Sequence, residues 1–152
     1  MTQPEDTYRI RRLEAEEAEW AAELEAACFT DPWSRESLAE GLKTGRFFCL
    51  LAEQAGQPAG YCLAQLVLDE GELLRIGVAP SARRRGLGRS LLRELRSQCP
   101  QIASWYLEVR EGNLPAISLY RQAGFVPSGI RKNYYRDPVE NALLMHRKDN
   151  MK

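Results

Sequence analysis

The sequence predicts an α/β (α+β) fold built on a mixed central sheet. In the first half of the chain, three consecutive apolar runs are separated by short turn sequences, which is the pattern of an antiparallel meander. In the second half, strand-like and helix-like segments alternate, and this alternation requires crossover connections and locally parallel pairing. A length of 152 residues is enough for one domain whose core removes about two-thirds of the unfolded chain's surface from water.

The first half is predicted to open with a strand over 8–13 and an alanine- and glutamate-rich helix over 14–27. Ser34 is a favourable N-cap for a second helix, which fades between Gly41 and Gly45. Turn-like sequences then separate the three strands of the meander, at 47–53, 58–68 and 72–78.

The second half begins with a helix over 88–97, because leucines recur at helical spacing from Leu87 to Leu95. The later segments follow the same alternation of strand and helix. They are a strand at 104–109, a helix at 114–123 closed by Gly124, and strands at 125–131 and 141–147.

Composition and cysteine use indicate a soluble protein in a reducing compartment. Lysine plus arginine equals aspartate plus glutamate at 21 each, which gives no support for an obligate nucleic-acid binder. No Cys-x-x-Cys pair occurs and the single histidine, His146, is expected to be structural, so neither zinc nor another metal is predicted. No apolar run approaches the roughly 20 residues that cross a bilayer, and we expect a cytoplasmic location. The cysteines are expected to be reduced: Cys28, Cys49, Cys62 and Cys99.

A basic, glycine-punctuated turn precedes the helix at 88–97 and has the sequence Arg83-Arg84-Arg85-Gly86-Leu87-Gly88-Arg89. The free N–H groups and the positive dipole of a helix N-terminus favour a bound phosphate. Glycines at 86 and 88 allow positive φ and close approach of a ligand. We therefore predict a phosphorylated cofactor here, with a solvated arginine patch or a nucleic-acid surface as the alternatives.

Two familiar phosphate motifs are excluded by inspection. The chain contains no Gly-x-x-x-x-Gly-Lys-Ser/Thr sequence, so it is not a P-loop nucleotide hydrolase. A dinucleotide fingerprint needs a third glycine where Leu91 stands, and it places its glycines directly after the strand that here ends at Val78.

The turn resembles the Arg/Gln-x-x-Gly-x-Gly/Ala pyrophosphate loop of the GCN5-related N-acetyltransferase (GNAT) superfamily, which Arg83 to Gly88 match in frame. Leu107 to Phe125 resembles the second half of that family, a strand followed by Asn-x-x-Ala-x-x-Leu-Tyr-x-x-x-Gly-Phe. Asp31-Pro32-Trp33-Ser34 and Arg131-Lys132-Asn133-Tyr134-Tyr135 are similar to segments of the RimI branch, the ribosomal-protein-alanine N-acetyltransferases.

The resemblance implies the GNAT fold, a mixed sheet of about seven strands with four helices that is splayed between strands 4 and 5. It implies a single N-acetyltransferase domain over 1–152, with a core of about 7–147. The cosubstrate would be acetyl-CoA, whose amide-containing pantetheine can pair with an unpaired strand edge. The implied cofactor-binding residues are Ile76, Gly77, Val78, Arg83, Arg84, Arg85, Gly86, Leu87, Gly88, Arg89, Asn113 and Tyr120.

Two residues carry the implied chemistry. Alternation along the strand at 104–109 places Trp105, Leu107 and Val109 on one face and Tyr106, Glu108 and Arg110 on the other. Because Glu108 and Arg110 share a face, one interpretation is an ordinary salt bridge between them. By resemblance, Glu108 is instead the general base. Tyr120 lies at core spacing on the helix that Asn113 caps, and by resemblance it is the general acid that protonates the leaving thiolate.

The acceptor is expected to be an N-terminal amine. Neutralising an α-amino group at pH 7 costs about 1.2 kcal/mol, against about 4.6 kcal/mol for a lysine. The segment 131–138 predicts a polar loop, either a solvent hairpin or a peptide-binding element, and by resemblance Trp33, Tyr134 and Tyr135 bind the substrate.

The resemblance implies a monomer that acetylates the N-terminal alanine of a small-subunit ribosomal protein by direct attack in a ternary complex, without membrane or stable nucleic-acid binding. Two alternatives stay open. One is a GNAT enzyme for lysine or a small-molecule amine, and the other is a non-catalytic ribosome- or RNA-binding module.

Overall fold

A seven-stranded mixed sheet organises the computed structural model, which describes residues 8–149. The strand order is β1-β2-β3-β4-β5-β7-β6. In chain order the elements are β1 (Arg9–Arg12), a 3₁₀ turn (Ala15–Glu17), α1 (Ala18–Cys28), α2 (Arg35–Lys43), β2 (Phe47–Gln54), β3 (Gln57–Val67), β4 (Glu70–Val78), a second 3₁₀ turn (Pro80–Ala82), α3 (Leu87–Gln98), β5 (Ser104–Arg110), α4 (Leu114–Gln122), β6 (Val126–Tyr135) and β7 (Glu140–Lys148).

The sheet confirms the predicted mixture of pairings. Strands β1 to β4 are antiparallel neighbours, β4 and β5 are parallel, and β7 lies antiparallel between β5 and β6. As predicted, Ser34 caps α2, with its side-chain oxygen accepting from the Ser37 N–H at 3.1 Å. The helix ends at Lys43, inside the predicted interval, and the missing Cβ of Gly41 leaves room for the Phe47 ring.

Strands β4 and β5 diverge, as predicted. Their pairing runs only from Glu70↔Ser104 to Leu73↔Leu107, although both strands continue beyond it. A β-bulge next to this point leaves Leu74 unpaired with β3, because Leu73 opposes Ala64 while residue 75 opposes residue 63. A bulge bends its strand, and the bend opens a gap between the two parallel strands.

The two faces of the sheet bury separate cores. Helices α3 and α4 pack on one face, where Trp105, Leu107 and Val109 are all buried, which confirms the predicted alternation of β5. Helices α1 and α2 cover the other face around Leu38 and Tyr61. The gap between β4 and β5 therefore lies between two packed layers.

The prediction of a loop over 131–138 is wrong for most of that segment. Strand β6 continues to Tyr135 and pairs with β7, Arg131 opposing Ala142 and Tyr135 opposing Glu140. The polar composition reflects a local irregularity: Asn133 has a positive φ of 52°, and its N–H donates to the side chain of Asn141 at 3.0 Å. A bulged edge strand tolerates polar residues that a central strand excludes.

The four cysteines are free thiols, and three of them are buried: Cys49, Cys62 and Cys99. Over residues 8–149, no helix combines the length and the apolar character that crossing a bilayer requires. The same stretch contains no grouping of three or more His, Cys, Asp or Glu side chains arranged to hold a metal ion.

Candidate active site

A cavity of about 620 Å³ occupies the gap between β4 and β5. One side is formed by β4 and by the loop that joins α1 to α2, and the other by β5, α4 and β6. The cavity brings together several residues that the sequence predicted for the site: Trp33, Ile76, Val78, Glu108, Asn113, Tyr120, Tyr134 and Tyr135.

Glu108 lies on β5 one residue beyond the last β4–β5 pair, so its side chain points into the gap. Its carboxylate forms an ion pair with Arg131 at 3.3 Å. A hydrogen-bonding contact with Glu108, followed by burial, raises the pKa of the Tyr134 hydroxyl. The salt bridge to Arg110 does not form, because Arg110 pairs with Glu140 at 3.2 Å.

Tyr120 is both a core residue and a cavity residue. It is 7 % exposed, and its ring meets Phe125 edge-on at a centroid distance of 6.0 Å. Burial, with a smaller contribution from the neighbouring Tyr135, raises the pKa of the Tyr120 hydroxyl. The phenol therefore stays protonated at neutral pH and can donate a proton or a hydrogen bond into the cavity.

The basic turn has the predicted helix N-terminus but uses its glycines differently. Gly86 has a φ of 77° and precedes α3 directly, which leaves the first N–H groups of that helix unsatisfied within it. The prediction of positive φ at Gly88 is wrong, since the left-handed residues of the turn are Arg84 and Gly86. Gly88 packs closely against α4, because an added Cβ would lie 3.2 Å from a methyl carbon of Leu119.

The arginines of the turn have different roles. The guanidinium of Arg83 donates to the carbonyl of Val78 at 2.8 Å and so fixes the start of the turn to the end of β4. Arg84, Arg85 and Arg89 are exposed around the N-terminus of α3. Cations and free N–H groups on one surface form a favourable environment for phosphate.

The β5-facing side of β4 is unpaired beyond Leu73, so Ile76, Gly77 and Val78 have a partner strand on one side only. Gly77 is closely packed, because an added Cβ would lie 3.0 Å from a ring carbon of Tyr61 and 3.1 Å from the sulfur of Cys28. Asn113 caps α4, with its side-chain oxygen accepting from the Ala116 N–H at 3.2 Å.

One buried carboxylate, which lies below the α1–α2 loop, was not predicted from the sequence. Glu25 is 0 % exposed, accepts the backbone N–H of Trp33 at 2.8 Å, and accepts a hydrogen bond from the Tyr61 hydroxyl. Its cationic partner is Arg75, whose Nε lies 3.3 Å away. The sequence does indicate that Glu25 is buried, because it follows Ala21 by four residues and therefore lies on the same, buried face of α1.

Arg75 connects this carboxylate to the loop that forms a wall of the cavity. Its guanidinium lies 4.2 Å from the ring centroid of Phe29 and 5.5 Å from that of Trp33, and it donates to the Asp31 carbonyl at 2.9 Å. Cation–π contacts and the buried ion pair together hold residues 29–33 against β4.

Strand β6 is held over the opposite wall. Arg110 lies 4.5 Å from the ring centroid of Tyr135 and donates to the carbonyls of Arg136 and Pro138. Burial raises the pKa of Tyr135 to about 12, and Glu108 contributes to the increase. The His146 ring packs against Tyr106 and is not among the residues that line the cavity.

Comparisons with a family model, with known sequences and with solved structures all match acetyltransferases. The model of the acetyltransferase (GNAT) family matches residues 14–125. The [ribosomal protein bS18]-alanine N-acetyltransferase of Escherichia coli K12 is 36 % identical over 140 residues, covering 90 % of this chain and 94 % of that protein. The N-alpha-acetyltransferase RimI of Mycobacterium tuberculosis is 36 % identical over 153 residues, covering 97 % of this chain and 96 % of that protein. The crystal structure of the ribosomal-protein-S18-alanine N-acetyltransferase from Escherichia coli superposes with a TM-score of 0.88 at 35 % identity, over 96 % of both chains.

Proposed function

The chain belongs to the GNAT family of acetyltransferases and is an N-acetyltransferase, and we propose that it acetylates the N-terminal alanine of the small-subunit ribosomal protein bS18. The acetyl donor is acetyl-CoA. The observation that carries the proposal is the presence of a carboxylate, Glu108, and a protonated phenol, Tyr120, in one cavity at the divergence of β4 and β5. Amine acetylation is accelerated by a base that accepts the proton of the amine and by an acid that protonates the leaving thiolate.

The residues around the cavity suit acetyl-CoA in two respects. The N-terminus of α3 and the exposed arginines Arg84, Arg85 and Arg89 would bind the pyrophosphate, because N–H groups and cations converge there. The unpaired edge of β4 at Ile76 to Val78 would pair with the amides of the pantetheine arm, and Asn113 would contact the same arm.

The proposed reaction is a direct transfer in a ternary complex. Glu108 accepts one proton from the acceptor ammonium group, and the freed lone pair then forms a bond to the thioester carbonyl carbon. The carbon–sulfur bond breaks, the sulfur takes the proton of the Tyr120 hydroxyl as CoA leaves, and the nitrogen releases its second proton to solvent. Proton transfer from Glu108 to the Tyr120 oxygen through solvent restores both residues.

The acceptor peptide is proposed to enter between the α1–α2 loop and β6, where Trp33, Tyr134 and Tyr135 line the cavity. Aromatic rings with polar tips suit an extended peptide, because they contribute contact area and hydrogen bonds at once. An α-amine is favoured over lysine by its lower pKa. We further propose a monomeric catalytic domain with its core at about 7–147 that acts in the cytoplasm, without stable binding to nucleic acid or membrane.

The test supplies acetyl-CoA with two peptides of matched length. One carries the free N-terminus of bS18, and the other has a blocked N-terminus and a single lysine. We expect thiol release and a mass increase of one acetyl group on the first peptide only. Acetylation confined to the lysine peptide would contradict the proposed acceptor, and no acetylation of either peptide would contradict protein acetylation altogether.

A further inference from the structure

Glu140 joins two segments that form different parts of the cavity wall. It is the first residue of β7 and lies opposite Tyr135, the last residue of β6. One carboxylate oxygen accepts a hydrogen bond from the Arg110 guanidinium at 3.2 Å, and the other accepts the backbone N–H of Gly112 at 2.6 Å. In the part of the chain that the structure describes, Glu140 is not among the residues that line the cavity, so it acts on the reaction through its neighbours.

The first of these contacts leads to the acceptor wall. The Arg110 guanidinium lies 4.5 Å from the centroid of the Tyr135 ring, and it donates to the carbonyls of Arg136 at 3.0 Å and Pro138 at 3.1 Å. Of these partners only Glu140 is charged, and a hydrogen bond between charged groups is about twice as strong as a neutral one. Glu140 therefore fixes the guanidinium and, through it, the Tyr135 ring beside the cavity.

The second contact leads to the start of α4. Gly112 lies in the turn between β5 and α4, and the next residue, Asn113, caps the helix and lines the cavity. An added Cβ at Gly112 would lie 2.6 Å from a carboxylate oxygen of Glu140, so the carboxylate packs directly against the turn. Helix α4 carries Tyr120. The same carboxylate therefore holds the start of the helix that positions the proposed acid.

We infer that Glu140 is a positioning residue for acetyl transfer, which holds the acceptor wall and the start of α4 in one fixed arrangement. The inference rests on the proposed function. In that function the peptide lies against Tyr135 while Tyr120 protonates the leaving thiolate, so the alignment of the two substrates depends on both segments. A misplacement of about 1 Å between reacting groups can lower the rate by about a hundredfold. Glu140 therefore affects turnover without contacting either substrate.

Two substitutions at Glu140 test this role, in steady-state assays with acetyl-CoA and the bS18 N-terminal peptide. Glu140→Gln keeps the size of the side chain, but only one of its two polar atoms can accept a hydrogen bond, whereas the two donors are bound by different oxygens. We expect kcat to fall by about tenfold and the peptide KM to rise by about tenfold. The KM for acetyl-CoA should stay unchanged, because α3 and β4 provide its main proposed contacts. Glu140→Asp keeps the charge and both oxygens, and it should recover part of both losses.

Glu111→Gln is the matched control. Glu111 is an exposed carboxylate in the same turn, and its side chain contacts the start of β7 through the neutral amide of Asn141 at 3.3 Å. Because that contact is neutral on one side and exposed, its loss should leave kcat and both KM values as in the wild type.

Arg110→Met separates the two contacts of Glu140. It removes the link to the acceptor wall, while the Gly112 N–H keeps its acceptor. We expect this variant to raise the peptide KM with a smaller loss of kcat than Glu140→Gln. The double variant should raise the peptide KM no further than Arg110→Met alone, because both substitutions break the same link.

The outcomes lead to separate conclusions. If the wild type acetylates the peptide and Glu140→Gln keeps the wild-type kcat and peptide KM, the positioning role is overturned and the proposed function stands. A Glu140→Gln variant that unfolds at lower temperature and raises the KM of both substrates equally also overturns the role, because that pattern indicates a general loss of structure. A wild type that leaves the peptide unmodified overturns the proposed function and, with it, this role.

Discussion

Glu108 owes its setting to residues far away in the sequence. Alternation along β5 predicted that it faces away from the core, and the structure confirms this. Its ion pair with Arg131 was not predictable, because a strand pattern identifies neighbours at even spacing, such as Arg110, and not those on another strand. The partner of a polar side chain is therefore decided by sheet order, which the local sequence does not encode.

Glu108→Gln is expected to lower kcat by about 10²- to 10⁴-fold, the usual contribution of a positioned base. The loss should be largest at low pH, where an unassisted amine is protonated. Steady-state rates from pH 6 to 9 measure this, with Glu36→Gln as the control, because Glu36 is an exposed carboxylate on α2 away from the cavity. An unchanged pH profile would remove Glu108 as the base.

Tyr120→Phe is expected to lower kcat by about 10²-fold while acetyl-CoA binding is retained. The ring stays in the core against Phe125, so the substitution removes only the hydroxyl. Calorimetric titration with acetyl-CoA and single-turnover rates separate binding from chemistry. Tyr106→Phe is the matched control, because Tyr106 is not among the residues that line the cavity, and equal rates for the two variants would exclude Tyr120 as the acid.

Among the elements, the helices and the meander were the most predictable, since periodicity and caps define them locally. Ser34 and the leucines of α3 illustrate this. Strand β6 was not predictable beyond Arg131, because its polar residues and the bulge at Asn133 resemble a loop. Only pairing with β7, which follows later in the chain, extends it to Tyr135 and so places two tyrosines beside the cavity.

The α1–α2 loop is held against β4 by contacts with one side chain, Arg75. Arg75→Met would remove the cation beside buried Glu25 together with the hydrogen bond to the loop, and a buried carboxylate without its partner costs about 3–5 kcal/mol. We expect lower stability, a peptide KM raised by about tenfold and an unchanged KM for acetyl-CoA. Thermal unfolding and initial rates measure these effects.

Two further variants distinguish positioning from a general loss of stability. Arg75→Lys keeps the charge but not the planar guanidinium, so it should recover part of the stability and less of the peptide KM. Arg93→Met, at an exposed position of α3, is the control for replacing an arginine. If Arg75→Met raised the KM of both substrates equally, the loop would have no selective role in acceptor binding.

For the molecule as a whole, the site depends on two cores that meet only through one sheet. Each face is covered by its own pair of helices, and the cavity opens where β4 and β5 part between them. Alternation predicted the buried face of β5, but not which helices cover each face of the sheet. The bulge that leaves Leu74 unpaired follows from how β3 and β4 align over their whole length, so the width of the gap is a property of the assembled sheet.

The reactivity of the four cysteines tests this arrangement, because their thiols differ in how far they are buried. Burial raises the pKa of the Cys62 thiol to about 12, and that of Cys49 is raised by the same cause, so both carry almost no thiolate at pH 8. Cys28 is half-buried and lines the cavity. We expect iodoacetamide to alkylate Cys28 first in the native protein, as measured by peptide mass spectrometry, and acetyl-CoA to slow that reaction. All four thiols should react in denaturant, and native alkylation of Cys49 as fast as that of Cys28 would contradict a closed core behind the cavity.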